Sequence, residues 1–283
     1  MCASIESRAG ERFFSPGRMI WKVDREMVLL LAGGRALLMQ LAHPKVAAGV
    51  AEHSHFKDDP LGRLHRTMST MWSIVFDEPP KAQAALAQVK NIHSKVRGVI
   101  RTAGPVPAGT AYDALDPELL LWVHATLIDS AMVAYEIFVK PIAQDEKSRY
   151  YDDTTELAHL FEIPETFVPE SLTDFYEYME RMLSGDTIVV GPAARSLAQE
   201  ILHPRPLVLK MAGPLFALIT AGLLPERLRE GYGLNWDARK EKRFRRLVKT
   251  IRVSLPFVPR PLRIVPNARS AEKSLLACKL RPF

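Results

Sequence analysis

Between Pro117 and Phe138 the chain reads PELLLWVHATLIDSAMVAYEIF, apolar on nearly every side when wound as a helix. A helix that is hydrophobic all round must be enclosed by other elements, so this segment belongs at the centre of the fold and the rest of the chain must supply its shell. Asp116-Pro117-Glu118 opens it with an N-cap acid, a proline in the first turn and a second acid that favours the helix dipole. Almost every other periodic segment repeats its apolar residues at three and four positions, and none alternates over the length of a half-buried strand. The fold class expected is therefore all-α.

The first helical region runs from about Arg25 to Leu41 and is stopped by His43-Pro44, because proline lacks an amide donor and restrains the residue before it. A short helix follows through VAAGVAEH. From Pro60, the residues Leu61, Leu64, Met68, Met71 and Val75 form a helical stripe, and Pro79-Pro80 punctuates it. The next helix is expected over about 80–102, with Val89, Ile92, Val96 and Val99 on one face, ending in the GPVPAGT loop. Further helices are expected at about 143–161, 172–184, 192–202, 209–221 and 237–255. With no repeat and no low-complexity linker, the organisation expected is one helical domain over 25–270, an N-terminal arm at 1–24 and a tail at 271–283.

The 283 residues are 47% hydrophobic and 25% charged, enough apolar material for a large core. A net charge of +6 is a modest excess that serves solubility, and nucleic acid is not an expected partner. Cys2 and Cys278 are the two cysteines, which excludes a disulfide framework or a CxxC knuckle and fits a reducing compartment. The N-terminal MCASIESRAGERFFSPGR lacks the pattern of a secretory signal. The longest apolar stretch, Met27 to Leu41, is interrupted by Gly33, Gly34, Arg35 and Gln40 and is shorter than the roughly 20 residues a span requires. A cytoplasmic protein is expected. The 237–255 helix interleaves Arg239, Lys240, Lys242, Arg243, Arg245, Arg246, Lys249 and Arg252 with Phe244, Leu247, Val248 and Ile251. Such a helix either packs with a solvated charged face or lies on an anionic membrane surface as a peripheral contact.

Chemistry concentrates first in Arg63-Leu64-His65-Arg66-Thr67 and in His93, 26 residues after Thr67. Residues three and four apart share a helix face, so Arg63 presents with Arg66 and Thr67. An apolar cavity with a histidine on one wall and polar donors on the other has what a haem oxygenase needs: an axial nitrogen and groups that stabilise bound dioxygen. The same residues also read as solvated arginines and an ordinary half-buried histidine, and spacing alone does not choose.

His124, on the most apolar helix, is either a rival ligand or a core histidine bonded to a neighbour. Asp129 on that helix satisfies a buried arginine or orients a histidine. His43 caps a helix end or touches a cofactor. Two Glu-x-x-His pairs, Glu156/His159 and Glu200/His203, are the raw material of a di-iron site, but such a site also needs glutamates from two further helices, and Pro204 ends the second pair's helix.

The segments GGRALLMQLAHPKVAAGVAEHSHF, Arg63/Arg66/Thr67, His93-x-x-Val96-Arg97, PELLLWVHATLIDS and AGLLPERLREGYGL occur in this order. Together they resemble the rubber oxygenase (latex clearing protein) catalytic-domain family, which includes the MpaB-like membrane-associated oxygenases, over about residues 25–270. The resemblance implies haem b held by His93, with Arg63 and Thr67 on the distal side and dioxygen as oxidant for a hydrophobic, isoprenoid-like or otherwise unsaturated small molecule. Rubber-cleaving members have lysine where this chain has Arg66. Arginine effectively cannot lose its proton, so the iron is expected to be five-coordinate or capped by water or another histidine. The alignment around Glu52 is too loose to assign it the acid–base carboxylate proposed for those members. The cofactor-contacting set expected is His93, Arg63, Thr67, His124 and His43, with Arg63, Arg66 and Thr67 acting on the oxidant. A haem- or lipid-binding sensor without turnover would carry the same residues.

Overall fold

A computed structural model of the protein describes residues 12–54, 60–202 and 207–279, with backbone alone at 60–65, 207–212 and 278–279. The fold is all-α. Helices α1 (Met19–Asp24), α2 (Gly33–Leu41), α3 (Pro44–His53), α4 (Pro60–Phe76) and α5 (Pro79–His93) precede a two-stranded antiparallel hairpin, β1 (Arg97–Val99) and β2 (Ala111–Asp113). Then come α6 (Pro117–Phe138), α7 (Gln144–Leu160), α8 (Leu172–Ser184), α9 (Pro192–Leu202), α10 (Leu207–Leu223), α11 (Glu226–Gly231), α12 (Ala238–Ser254), α13 (Arg260–Arg263) and α14 (Pro266–Lys279).

The apolar helix is the hub. α6 starts where Asp116 accepts the Glu118 amide at 3.0 Å, and α2, α7 and α12 pack around it. It is long and apolar enough to cross a membrane, but 56% of its apolar window is buried within the protein. Leu38, Met39 and Leu41 of α2 are fully buried beside it, and Trp122 donates to the Met39 carbonyl at 3.3 Å. Burial of that much apolar area, at about 25 cal/mol per Å2, is the main stabilising contribution.

Sequence periodicity locates α8 and α9 at their observed bounds. The helical region expected over about Arg25–Leu41 is two helical pieces, a 3-10 turn, Met27–Ala32, followed by α2. One region differs. The helix expected over about 80–102 ends at His93. Its inward stripe is Ala82, Ala85, Leu86 and Val89, whereas Ile92 and Val99 are about half exposed at 52% and 50%. After His93 the chain turns, and residues 97–99 pair with 111–113. Gly109, at φ 88°, supplies the left-handed residue that turns the connection back.

The core extends beyond 25–270 at both ends. Ile20, Trp21 and Val23 of α1 are fully buried, and Ala271 of α14 joins the same cluster. Glu26, 3% exposed, accepts two bonds from Arg263 at 2.9 and 3.1 Å, and Arg25 pairs with Glu272 at 3.0 Å.

Candidate active site

α4 and α5 are joined by only Asp77 and Glu78 and pack closely along their lengths. So short a connection makes them antiparallel neighbours. At 1.5 Å per residue, Arg63 lies about 20 Å from the connection along α4 and His93 about 21 Å along α5. Both backbones therefore reach the open end of the helical hairpin. Thr67 sits one turn closer to the connection. Arg66 and Thr67 are exposed on α4, and the Arg63 side chain lies outside the described residues.

His93 continues the buried stripe of α5, since Ala82, Leu86, Val89 and His93 follow at spacings of four, three and four. Its imidazole is half-buried and has no hydrogen-bond or ion-pair partner among the described residues. Burial holds its pKa below the ordinary imidazole value. At neutral pH the ring is uncharged and keeps a lone pair for a ligand or a metal. An unpartnered imidazole of this kind is a residue that could hold a haem iron. Among the described residues, no group of three or more His, Cys, Asp or Glu side chains converges on a metal position. Of the two Glu-x-x-His pairs, Glu156 is ion-paired with Arg18, and His203 lies outside the described residues.

A polar cluster that the sequence alone does not assemble lies beside the strand that leaves His93. The Tyr112 hydroxyl donates to Glu52 Oε2 at 2.5 Å and lies 3.2 Å from His53 Nε2, and Arg101 donates to Glu52 Oε1 at 2.7 Å. Hydrogen bonds from Tyr112 and Arg101 hold the Glu52 carboxyl below the usual range. Burial and the Glu52 carboxylate push Tyr112 up to about 12. Gly98 is required here, because a Cβ would stand 2.6 Å from the Tyr112 hydroxyl oxygen. Tyr112 is 60 positions from Glu52, so only the fold of the hairpin onto α3 could reveal the pair.

The two buried histidines, His43 and His124, are engaged. His43 is buried at the start of α3, where Nδ1 accepts the Lys45 amide at 3.3 Å, and burial lowers its pKa to about 4. His124 Nε2 is 2.9 Å from the Thr154 carbonyl, and burial lowers this residue too to about 4. The carbonyl can only accept, so His124 is protonated on Nε2 and presents Nδ1 as its free lone pair. It lines a small cavity with Tyr151, Val168 and Phe175, of a size for about one water. Asp129 accepts from a buried arginine, Arg35, one of the two roles open to it in the sequence.

Residues 21–253 match the family model described as the catalytic domain of ER-bound oxygenase mpaB/B' and rubber oxygenase. The chain belongs to this oxygenase family. The mpaB/rubber oxygenase match begins inside α1 and stops within the last turn of α12, so it takes in the α4–α5 hairpin, the Glu52–Tyr112 cluster and the central helix. Uncharacterised proteins of Mycobacterium bovis and Mycobacterium tuberculosis are each 28% identical over 230 residues, covering 79% of this chain and 87% of the relative. No solved structure matches the chain significantly. Membership in an oxygenase family makes dioxygen and a small molecule the reactants in general terms.

Proposed function

We propose that this protein is a haem b-dependent oxygenase acting on a hydrophobic, unsaturated small molecule, with His93 as the proximal iron ligand. The observation that carries the reading is the His93 imidazole: neutral, half-buried, unpartnered among the described residues, and on the inward stripe at the open end of the α4–α5 hairpin. When bound, the haem would supply activation of dioxygen. Arg63, Arg66 and Thr67, on the partner helix, are the groups assigned to orient the oxidant and to offset negative charge developing on it. An arginine side chain is a fixed cation and not an iron ligand, and that is the role assigned to Arg66. The Glu52–Tyr112 pair stands where the chain leaves His93 and can hold a proton on the tyrosine oxygen while the carboxylate stays ionised.

The test is the visible spectrum of protein expressed with haem supply, with circular dichroism as the check on folding. His93→Ala is expected to lose haem while His124→Ala retains it. Full haem occupancy in His93→Ala with loss in His124→Ala overturns the ligand assignment, and a wild-type protein that takes up no haem overturns the cofactor. Dioxygen consumption with an unsaturated lipid separates turnover from reversible binding.

A further inference from the structure

The apolar face of α12 is already used: Phe244, Leu247, Val248 and Ile251 pack with Trp236 against α6 and α10. What α12 offers to the outside is charge. From Lys242 to Ala271 the sequence contains nine Lys and Arg and no Asp or Glu. Lys242, Arg243, Arg246, Lys249 and Arg252 are exposed, with no carboxylate in ion-pair range among the described residues. Arg245, Arg260 and Arg263 are matched by Glu241, Glu272 and Glu26.

Directly beyond these cations, three large apolar side chains stand in the open: Val253 at 61% exposure, Phe257 at 83% and Leu262 at 69%. They occupy a short tip made of the last turn of α12, the 3-10 turn Leu255–Phe257 and α13. Pro256, Pro259 and Pro261 stiffen it and remove three amide donors. A stiff tip loses little conformational freedom when immersed and brings fewer unpaired N–H groups into an apolar phase. Exposed phenylalanine and leucine at the end of a row of cations match the two layers of an anionic bilayer surface, charged headgroups over hydrocarbon.

We infer that the protein docks peripherally on anionic lipid bilayers, with Phe257 and Leu262 inserting below the headgroups and Lys242, Arg243, Arg246, Lys249 and Arg252 contacting them. The contact is therefore a tip with a charged collar, not a helix lying on its apolar side. It does not depend on the haem reading, because the docking residues lie on α12, on α13 and on the turn between them and not on the α4–α5 hairpin, so vesicle binding can be measured with and without haem.

The experiment uses the full chain, with phosphatidylcholine vesicles and vesicles containing phosphatidylglycerol, at about 0.1 M salt, where screening is moderate. Flotation is expected with the anionic vesicles alone, and Phe257→Ser/Leu262→Ser is expected to weaken it at least about tenfold. A Phe257→Trp variant is expected to shift its fluorescence to the blue on binding and to be quenched by brominated acyl chains. These side chains are exposed, so substitution leaves the fold intact, which circular dichroism checks. Three outcomes overturn the inference: flotation unchanged in the double variant, equal flotation with neutral vesicles, or fluorescence of the Phe257→Trp variant that brominated lipid leaves unaffected. A tip-dependent dimer in solution, or tip-dependent nucleic-acid binding without flotation, also overturns it.

Discussion

Arg35 donates to Asp129 at 2.5 Å, and the same guanidinium reaches Ser130 Oγ at 2.7 Å and the Leu223 carbonyl at 2.9 Å. One buried side chain on α2 thereby ties the central helix to the end of α10. Removing one partner of a buried pair leaves an uncompensated charge, a loss of roughly 3–5 kcal/mol. Asp129→Ala is therefore expected to lower unfolding free energy by that order in a urea titration. Arg35→Met/Asp129→Leu is expected to recover most of it, since apolar replacement of both partners removes the charge as well.

Asp24 is half-buried, and burial raises its pKa from 3.8 to about 7 against the opposing bond from the Tyr150 hydroxyl at 3.0 Å. The folded-state value lies above the unfolded one, so the native state holds the proton more tightly. This contribution is fully present below about pH 4 and is lost as pH rises through 7. Relative to Asp24→Asn, the wild type is expected to lose on the order of 4 kcal/mol between pH 4 and pH 8. His43 and His124, lowered from 6.5 to about 4 by burial, act in the opposite sense over that interval. Comparing unfolding free energies of the two proteins at each pH cancels them.

Gly34 sits where α2 meets α10, and a Cβ there would overlap the Thr220 hydroxyl and come within 2.8 Å of Phe216 Cζ. Overpacking of this kind costs about 1–3 kcal/mol, partly offset by alanine's helix preference. Gly34→Ala is expected to lower the thermal midpoint, and adding Thr220→Ala is expected to restore part of it.

Tyr112→Phe removes one of the two side-chain donors that hold Glu52. A small loss of stability is expected, because the bond to the exposed Glu52 carboxylate is screened by solvent. The Glu52 carboxyl is also expected to rise toward its ordinary pKa, which carboxylate NMR titration would measure.

What can be read without the fold follows a physical line. The central helix is legible because no solvent-facing element can be apolar on every side, and α8 and α9 because Ser171 and Pro192 mark their starts. Asp129's service to a buried arginine follows from its place on that helix, but naming Arg35, 94 positions away, requires the packing. The end of α5 is misplaced by periodicity because Val96 and Val99 happen to keep helical spacing. The stripe that faces the core is built on Ala82 and Ala85, whose small side chains give periodicity little weight. Of the site, His93 is legible as a residue, but its lack of a partner is a property of its surroundings.

The two ends of the described chain are woven together. Arg25 accepts the Val265 amide on its carbonyl at 2.9 Å, Glu26 bridges to Ile264, and α14 packs on α4. During synthesis, Glu26 therefore gains its two hydrogen bonds from Arg263 only once that residue has emerged. Contacts of such long separation form late and slowly. Until the segment from Arg263 to Glu272 has left the ribosome, the layer around Trp21 stays open, and the nascent protein exposes apolar surface to chaperones and proteases throughout that interval.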